Sequence, residues 1–388
     1  MRSSKPIIPL PYAWYYIPVV LIAMIGFFDA CYLAVSHYRV YTDMEYQSFC
    51  AISRAFNCDT VSQSPYSILI GVPVPVWGII GYAVVILLLL FARPQLVSGK
   101  RIWTLVFLIS LGFSIYSMVL ALISTFWIDS YCIMCILSYA VNLLLLYFSW
   151  LIRKRFQVEP LLSAVKLDVE HLLPRSKRSL GFLVCCVSIL LAGLAALPSY
   201  WRLKPPELSQ EIPTGTTAEG FPWCGAEHPK LVITEFADYR CFQCKKMHFF
   251  LRNLIQKNPD KIRLIHRHFP MDQKINPIVR EPFHEGAGLL SMIAIAAARD
   301  GKFWPMNDRL FELARERQEM DTKMLARDIG MDPKSLVDAL LDPRTKAHLS
   351  RDIQDGIRLG ISGTPAYLVE GNLYLGWLPG NVLARVME

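Results

Sequence analysis

Long apolar segments in the first half of the chain decide what it can fold into. Five of them approach the roughly 20 residues that a helix needs to cross the hydrocarbon of a bilayer. They are Ile17 to Tyr38, Val74 to Phe91, Ile102 to Phe126, Cys132 to Ile152 and Leu180 to Leu197. After Trp201 the sequence becomes polar and charged. We therefore expect five membrane-spanning helices followed by a domain in water.

The placement of basic residues predicts the orientation in the membrane. The formal net charge is +8, and its Lys and Arg residues collect before the first apolar segment and in the second and fourth loops. They are Arg2, Lys5, Arg93, Lys100, Arg101, Arg153, Lys154, Arg155, Lys166, Arg175, Lys177 and Arg178. Since basic loops stay in the cytoplasm, we expect a cytoplasmic N-terminus and a periplasmic or other extracytoplasmic C-terminal domain on a bacterial inner membrane. The charge thus indicates topology and not nucleic-acid binding.

The first apolar segment is expected to remain as an anchor. It is longer than the apolar core of a signal peptide, and no small-residue cleavage site follows it. Beyond the fifth segment, the stretch PPELSQEIPTGTTAEGFPWCG is rich in Pro, Gly and Thr. This composition predicts an extended tether to the polar domain.

Six of the ten cysteines form three close pairs on the predicted outer side of the membrane. The pairs are Cys50 with Cys58, Cys132 with Cys135, and Cys241 with Cys244. An oxidising compartment permits disulfides but does not distinguish structural from catalytic ones. Cys31, Cys185 and Cys186 are expected to pack within helices, and Cys224 has no assigned role.

The second pair lies where the fourth helix begins. Asp129 or Ser130 is expected to cap that helix, which puts both thiols in its first turn, where the helix dipole stabilises a thiolate. At 100° per residue, two thiols, a phenol and an amide share one face of this apolar segment. They are Cys132, Cys135, Tyr139 and Asn142. Such a face points into a bundle or cavity; alternatively, Tyr139 and Asn142 only join helices and the cysteines form an inert disulfide.

The loop pair taken alone suits a structural disulfide that closes a small loop. In combination with its surroundings, however, it resembles the vitamin K epoxide reductase family over about residues 10 to 155. The matching features are the loop pair, Val61 and Ser64 after Cys58, a Gly-x-Pro sequence entering the second helix, and CIMCILSYA in the fourth. The resemblance implies a four-helix bundle around a quinone, either ubiquinone or menaquinone.

The resemblance also implies roles for the four cysteines. Cys50 would exchange electrons with a partner, Cys58 would attack the disulfide between Cys132 and Cys135, and Cys135 would reduce the quinone. These roles make a short path for electrons from the loop to the fourth helix.

Other positions match the quinone pocket of that family. Ser64 and Tyr139 correspond to pocket positions, and Asn142 extends the same polar face. The second helix reads VPVPVWG and lacks the Asn of the vertebrate enzymes. This departure argues against epoxide reduction more than against quinone reduction.

The polar domain carries a thioredoxin-like signature. Leu231 to Phe236 has the pattern of a buried strand, and Cys241 and Cys244 follow at the start of an amphipathic helix. A second strand is expected in KIRLIHRHFPMD. Downstream, Thr364 and Pro365 precede the strand AYLVEG, where thioredoxin-like proteins hold a cis-proline against the active cysteines and present backbone to substrate. An ordinary trans proline is the alternative for that motif alone.

Residues 281 to 358 show helical apolar spacing, which predicts a helical insertion in the thioredoxin fold. This arrangement resembles DsbA-like oxidoreductases over about residues 218 to 388. Phe242 and Gln243 stand between the cysteines, in place of the Pro-His of strong oxidants in that group. The missing His leaves the redox potential open.

Zinc binding is the competing interpretation of these cysteines. A tetrahedral site would need two further Cys or His ligands, and the candidates are Cys224, His248, His266 and His268. No second Cys-x-x-Cys stands at zinc-ribbon spacing, so no metal is expected. His248 is expected on the surface of its helix.

Together these features predict a membrane thiol:disulfide oxidoreductase that forms disulfides in exported proteins and passes their electrons to a membrane quinone. The predicted domains are 1–155, a quinone-binding bundle of four transmembrane helices; 156–217, a cytoplasmic loop, fifth helix and external tether; and 218–388, the redox domain. Reduced exported proteins, lipid and quinone are the expected partners of a monomer. A quinol-linked disulfide reductase or isomerase on the same scaffold, and a membrane-anchored metal-binding or assembly factor, remain as alternatives.

Overall fold

The structure is a computed structural model that describes residues 11–53, 55–93, 102–156, 159–172, 187–188, 191–193, 196, 198–205, 212–313 and 321–384. The chain divides into two compact units, Met1–Tyr200 and Trp201–Glu388. Apolar helices form the core of the first unit, and a mixed sheet covered by helices forms the core of the second.

Long helices build the first unit. Its helices are α1 (Ala13–Thr42), α2 (Cys58–Gln63), α3 (Val74–Phe91), α4 (Trp103–Ile123), α5 (Ile133–Phe156) and α6 (Leu161–Leu172). A 3₁₀ turn (Pro65–Ser67) and a short hairpin of β1 (Ile68–Leu69) and β2 (Val72–Pro73) precede α3, and a π-helical turn (Ser124–Ile128) extends α4. These elements place one short helix, α2, in the loop between the first two long ones.

Four helices in the described part of the chain are long and apolar enough to cross a membrane: α1, α3, α4 with its π-helical turn, and α5. They correspond to the first four predicted segments, which are confirmed. The fifth predicted segment, Leu180 to Leu197, lies largely outside the described residues, as do Cys185 and Cys186.

The bundle packs closely where a small residue faces a large one. A Cβ on Gly26 of α1 would collide with the ring of Tyr82 on α3, so glycine allows this close approach. Tyr82 donates its hydroxyl proton to Asn142 Oδ1 of α5 at 2.7 Å, and Asn142 Nδ2 donates to Ser117 Oγ of α4 at 2.9 Å. Asn142 therefore joins three helices, as the helix-joining interpretation of this residue expected.

The second unit is a mixed sheet with helices. Its strands are β3 (Thr214–Thr216), β4 (Pro222–Gly225), β5 (Leu231–Ala237), β6 (Ile262–His268), β7 (Ala366–Val369) and β8 (Asn372–Leu375). Its helices are α7 (Phe242–Lys257), α8 (Ala287–Ala298), α9 (Phe303–Leu313), α10 (Thr322–Asp328), α11 (Pro333–Leu341), α12 (Pro343–Arg358) and α13 (Gly380–Ala384).

The sheet has the strand order β3-β4-β6-β5-β7-β8. Strands β5 and β6 run parallel, and the other neighbours run antiparallel. Helices α8 to α12 lie between β6 and β7 in the sequence, which confirms the predicted thioredoxin-like fold with a helical insertion. Phe236 and Phe269 are fully buried where the insertion packs against the sheet.

The predicted tether is wrong over part of its length. Strands β3 and β4 lie within it, and β4 pairs with β6. Gly225 adopts φ +113°, and a Cβ there would collide with the carbonyl of Ile262. The glycine that suggested a flexible segment is therefore needed for close strand packing.

Candidate redox sites

The loop that carries Cys58 is fixed to the residue before Cys132. The N–H of Asn57 donates to the carbonyl of Tyr131 at 2.9 Å, and the N–H of Tyr131 donates to the carbonyl of Ala55 at 2.7 Å. These two hydrogen bonds hold the loop beside the start of α5.

Asn57 also begins the helix on which Cys58 lies. Its Oδ1 accepts hydrogen bonds from the N–H groups of Asp59 and Thr60 at 3.0 and 3.1 Å. This is the geometry of an N-cap, for which Asn is among the preferred residues. Cys58 is consequently the first residue of α2.

Cysteines from the loop and from α5 meet in one buried cluster. Cys50, Cys58 and Cys132 form its centre, and Cys135 packs against them. A disulfide joins Cys50 to Cys58 with a Cα–Cα distance of 5.6 Å, whereas Cys132 and Cys135 are free thiols. The structure therefore brings the two predicted membrane-side pairs together.

The start of α5 differs from the prediction. The sulfur of Cys132 accepts the N–H of Cys135 at 3.1 Å, which is the position and role of an N-cap. Asp129 adopts a left-handed conformation with φ +55°, and Ser130 Oγ donates to the carbonyl of Asn57 at 3.4 Å. The expectation that Asp129 or Ser130 caps the helix is wrong, because both are used in the turn and its loop contact.

A cavity of about 430 Å³ lies inside the bundle, within the size range of small-molecule sites. Its walls come from α1, α2, α3, α4, α5 and the segment around the β1–β2 hairpin. The four residues predicted to bind a cofactor all line it. They are Ser64, Cys135, Tyr139 and Asn142. Ser64 Oγ donates to the carbonyl of Val61 at 2.8 Å, so its oxygen can still accept a hydrogen bond.

The second unit holds its cysteine pair at the start of α7. Cys241 is the N-cap, and its sulfur accepts the N–H of Cys244 at 3.3 Å. Cys241 is 8% exposed and Cys244 is 1% exposed. The predicted cis-proline is confirmed: the bond between Thr364 and Pro365 is cis, and the Cys241 thiol donates to the Thr364 carbonyl at 3.4 Å. Two segments distant in sequence thus meet at Cys241.

Comparison with known families finds one match in each unit. Residues 17–150 match the vitamin K epoxide reductase family (VKOR), and residues 232–387 match the DSBA-like thioredoxin domain. The chain joins a VKOR domain to a DsbA-like thioredoxin domain. Each matched region contains the cysteine pairs described above for its unit.

Solved structures similar to this chain include thioredoxin-like proteins. A thioredoxin-like oxidoreductase from Silicibacter pomeroyi DSS-3 is 24% identical and covers 43% of this chain and 90% of its own, with a TM-score of 0.36. The thiol-disulfide exchange protein alpha-DsbA2 from Wolbachia pipientis is 21% identical over 42% of this chain and 84% of its own, also with a TM-score of 0.36.

Curated relatives include Na⁺/H⁺ antiporters named NhaA. The protein from Herminiimonas arsenicoxydans is 23% identical over 213 residues, which are 54% of this chain and 32% of that protein. NhaA 3 from Salinispora tropica is 26% identical over 41% of this chain and 23% of that protein. The chain thus spans a third or less of the length of these relatives. Ion transport is stated in the names of those proteins and is not carried over to this chain.

Asp29 is a feature of the VKOR domain that the sequence analysis missed. This carboxylate is 4% exposed in the middle of α1 and accepts a hydrogen bond from Ser138 Oγ of α5, while its Oδ1 is buried without a hydrogen-bond partner. Ser138 also lines the cavity, one helical turn after Cys135. An acidic residue within an apolar segment was the available signal, because buried intramembrane carboxylates commonly mark proton or ion paths.

A buried ionic network lies within the DsbA-like domain. Glu235 Oε1 accepts hydrogen bonds from Nδ1 of His248 at 3.0 Å and Nδ1 of His266 at 2.7 Å. His248 Nε2 reaches Asp308 Oδ1 at 3.0 Å, and Arg252 reaches Asp308 at 3.1 Å. His248 is fully buried, so its predicted surface position is wrong. The amphipathic pattern of α7 did not show that the face with His248 packs against α9.

The same network contains the cluster most similar to a metal site among the described residues. The ligand atoms of Glu235, His248 and His266 lie within 4.8 Å of one another. Two zinc candidates, His248 and His266, are therefore brought together, with a carboxylate as the third group. The hydrogen bonds to Glu235 already account for this arrangement.

Charges within the network shift the pKa values of Glu235 and His248. Burial would raise the pKa of Glu235, but His248 and His266 outweigh it and lower that pKa to about 2. Burial would lower the pKa of His248, but Glu235 and Asp308 raise it above its ordinary value. The network is therefore most stable with Glu235 ionised and His248 protonated.

Cys224 lies apart from the cysteine pair of its domain, at the edge of this network. It is completely buried on β4, and Arg252 Nη1 donates to its sulfur at 3.2 Å. Burial raises the pKa of Cys224 to about 12, although Arg252 opposes this shift. Cys224 is thus a protonated, enclosed thiol at neutral pH.

Proposed function

We propose that this protein forms disulfides in exported proteins and passes their electrons to a membrane quinone. The net reaction converts two protein thiols and one quinone into one protein disulfide and one quinol. The observation that carries the proposal is the position of the cysteine cluster in the VKOR domain. The Cys58 loop is hydrogen-bonded beside Cys132, and Cys135 lines an apolar cavity in a membrane bundle.

The cavity fits a quinone in size and chemistry. It is mostly apolar, with a few polar groups that could orient a carbonyl oxygen, among them Ser64, Tyr139 and Asn142. Asn142 already uses its amide in bonds to Tyr82 and Ser117, so we assign the closest polar contacts to Ser64 and Tyr139. A quinone bound there would accept two electrons and two protons.

The first exchange takes place at Cys241 and Cys244. A substrate thiolate attacks the sulfur of Cys241 in the oxidised pair, forming a mixed disulfide and releasing Cys244 as a thiolate. A second substrate thiolate then attacks the substrate sulfur of that bond, and Cys241 leaves. The substrate gains a disulfide, and the pair gains two electrons. Cys241 suits this role because it is the more exposed thiol and lies against Thr364.

The second exchange moves these electrons into the VKOR domain. The reduced pair attacks the Cys50–Cys58 disulfide at Cys50, and the pair in the DsbA-like domain is oxidised again. Cys58 then attacks the disulfide form of the α5 pair at Cys132 and releases the Cys135 thiolate at the cavity. Cys50 in turn attacks Cys58 in this mixed disulfide, which restores the Cys50–Cys58 disulfide and leaves Cys132 and Cys135 as a dithiol that can give two electrons to the quinone. Because both domains belong to one chain, their exchange is effectively intramolecular.

The proposed orientation places all three cysteine pairs on the outer side of the membrane. The basic loops support a cytoplasmic N-terminus. Substrates would then be reduced proteins newly exported across a bacterial inner membrane. We propose a monomer as the active unit because one chain supplies every pair in the path.

An assay with purified full-length protein tests this function. Reduced protein substrate and ubiquinone or menaquinone are supplied, and quinone absorbance and substrate thiols are followed together. We expect one quinone consumed per two thiols lost, and no quinone reduction by Cys135→Ala. Cys31→Ala is the matched control, since Cys31 lies on α1 outside the three pairs.

Two outcomes would reject the proposal. Consumption of quinol with release of substrate thiols would show a reductase or isomerase, and absence of redox turnover with stoichiometric zinc would show a metal-binding factor. Domain coupling is tested in a Cys58→Ala, Cys244→Ala variant, which should accumulate a mixed disulfide between Cys241 and Cys50.

A further inference from the structure

The active pair of the DsbA-like domain lacks a cationic neighbour between its cysteines. Phe242 and Gln243 occupy the positions between Cys241 and Cys244. The thiolate of Cys241 receives a hydrogen bond from the N–H of Cys244 and the positive end of α7. A nearby positive charge would stabilise it further.

A histidine from a distant part of the chain contacts the turn that precedes this pair. His284 is located just before α8, and its Nδ1 lies 2.8 Å from Oδ2 of Asp238. The side chain of His284 is 20% exposed, whereas that of Asp238 is fully buried. The hydrogen bond fixes which ring nitrogen faces Asp238 and leaves Nε2 for another contact.

Asp238 connects this histidine to the cysteine pair. Its carbonyl accepts the N–H of Cys241 at 3.1 Å, and its own N–H points to the sulfur of Cys244 at 3.5 Å. Its carboxylate also accepts the N–H groups of Arg240 and Met271, both at 2.7 Å. The carboxylate that holds His284 is therefore fixed in the turn that carries both cysteines.

The backbone of His284 has an unusual conformation, which its surroundings must maintain. His284 adopts φ +34°, a region that non-glycine residues rarely occupy. Its ring stacks on Phe283 with centroids 3.9 Å apart. Strained residues of this kind cluster at functional sites, where surrounding contacts maintain them.

We propose that His284, held by Asp238, supplies the positive charge that stabilises the Cys241 thiolate in place of a histidine between the two cysteines. The inference rests on the proposed role of Cys241 as the thiol that meets substrates. In the oxidase direction Cys241 departs as a thiolate, so a charge that stabilises this thiolate favours disulfide formation in the substrate. His284 is a positioning residue that acts on Cys241 through its charge.

The electrostatics of the site agree with this assignment. The hydrogen bond with Cys244 is the largest influence and lowers the pKa of Cys241, and the charge of His284 lowers it further. Burial and the Asp238 carboxylate act in the opposite direction. Burial would lower the pKa of His284, but Asp238 and Cys241 raise it above the ordinary value, against a smaller opposing effect of Arg240. Both shifts favour the thiolate–imidazolium pair.

The test measures the reactivity of Cys241 in the full-length protein. Reduced protein in detergent is treated with iodoacetamide from acidic to alkaline pH, and the Cys241 peptide is quantified by mass spectrometry. The reagent consumes the thiolate, so the pH midpoint gives the pKa of Cys241. This measurement needs neither quinone nor substrate, and its failure is therefore distinct from failure of the oxidase assay.

His284→Asn is the informative variant, because Asn tolerates a positive φ and carries no charge. We expect the midpoint to rise and alkylation at pH 6 to slow by about tenfold, which corresponds to one pKa unit. His228→Asn, at an exposed position of the same domain, should leave the midpoint unchanged. A structural role of His284 would lower the unfolding temperature but would not move the midpoint.

An unchanged midpoint in a folded His284→Asn protein would overturn the proposal. If this variant does not fold, His284→Gln repeats the test, since Gln can also donate to Asp238. If neither variant folds, the wild-type profile decides. A Cys241 midpoint at or above that of an ordinary cysteine would refute the assignment, and a clearly lower midpoint would support it.

Discussion

The backbone N–H of Asn57 and the carbonyl of Tyr131 form a 2.9 Å hydrogen bond that joins the Cys58 loop to the start of α5. Each residue directly precedes a cysteine of a different pair. The bond therefore sets the separation between the loop pair and the α5 pair without using either sulfur. The same Asn57 caps α2 through its side chain, so one residue positions Cys58 in two ways.

Asn57→Ala should slow electron transfer from the loop pair to the α5 pair. Loss of an N-cap costs about 1 kcal/mol, and if the capped loop is the reactive form, turnover should fall by roughly fivefold. Asn57→Asp retains the capping oxygen and should keep near-normal turnover. Substrate-thiol oxidation with quinone present measures both variants. Equal losses in the two variants would contradict the capping explanation.

Asp29→Asn should impair quinone reduction while leaving quinone binding intact. Asn can still accept the hydrogen bond from Ser138, but it cannot take up and release a proton. Loss of a general acid or base commonly costs about a hundredfold in rate, so kcat should fall strongly and the KM for quinone should change little. Asp43→Asn, at the end of the same helix, is the control. A changed KM with normal kcat would assign Asp29 to binding.

Glu235→Gln should destabilise the DsbA-like domain, because it removes the charge between two buried histidines. Breaking a buried ion pair costs on the order of 3 kcal/mol. Thermal unfolding followed by circular dichroism measures the loss, with the exposed Glu227→Gln as control. Equal unfolding temperatures for wild type and Glu235→Gln would show that the network contributes little.

The stability of the network should depend on pH in a defined direction. The pKa of Glu235 is lowered from 4.5 to about 2, so its contribution is present above pH 4.5 and is lost as pH falls toward 2. The pKa of His248 is raised above 6.5, so its contribution is complete below pH 6.5 and is lost as pH rises through the folded-state value. Unfolding temperatures measured across pH should show the largest difference between wild type and Glu235→Gln from pH 4.5 to 6.5.

Chelation should leave the protein unaffected. Both histidines near Glu235 donate to the same carboxylate oxygen through Nδ1, so protons occupy the ring nitrogens that face Glu235. Purified protein is expected to contain far less than one zinc per chain and to keep its unfolding temperature in a chelator. Stoichiometric zinc that disappears in His266→Ala would contradict this expectation.

Local patterns in the sequence were sufficient for the elements that depend on short-range chemistry. Apolar length predicted the four long helices, and the spacing of Cys241 from Cys244 predicted a strand followed by a helix. The common face of Cys135, Tyr139 and Asn142 was correctly predicted because helical periodicity fixes it. The cis bond before Pro365 was predicted from the Thr364–Pro365 motif in combination with the Cys241–Cys244 pair. Taken alone, the Thr364–Pro365 motif would suggest an ordinary trans proline.

Other features depend on contacts that periodicity does not encode. The burial of His248 results from partners on β5, β6 and α9, and strand β4 forms because β6 is available to pair with it. Cys132 replaces the expected cap because the turn before it bonds to the Cys58 loop. His284 and Asp238 are 46 residues apart, so only the folded chain shows that they meet.

The enclosure of Cys224 has a consequence for the fidelity of disulfide exchange. In an enzyme that forms mixed disulfides with its substrates, an additional reactive thiol can attack the mixed disulfide and form an unproductive disulfide within the enzyme. Cys224 is kept protonated and out of reach beside Arg252, so it is a poor nucleophile and an inaccessible target. Under the proposed function, the fold of the DsbA-like domain would keep Cys224 out of the exchange and leave Cys241 as the thiol that meets substrates.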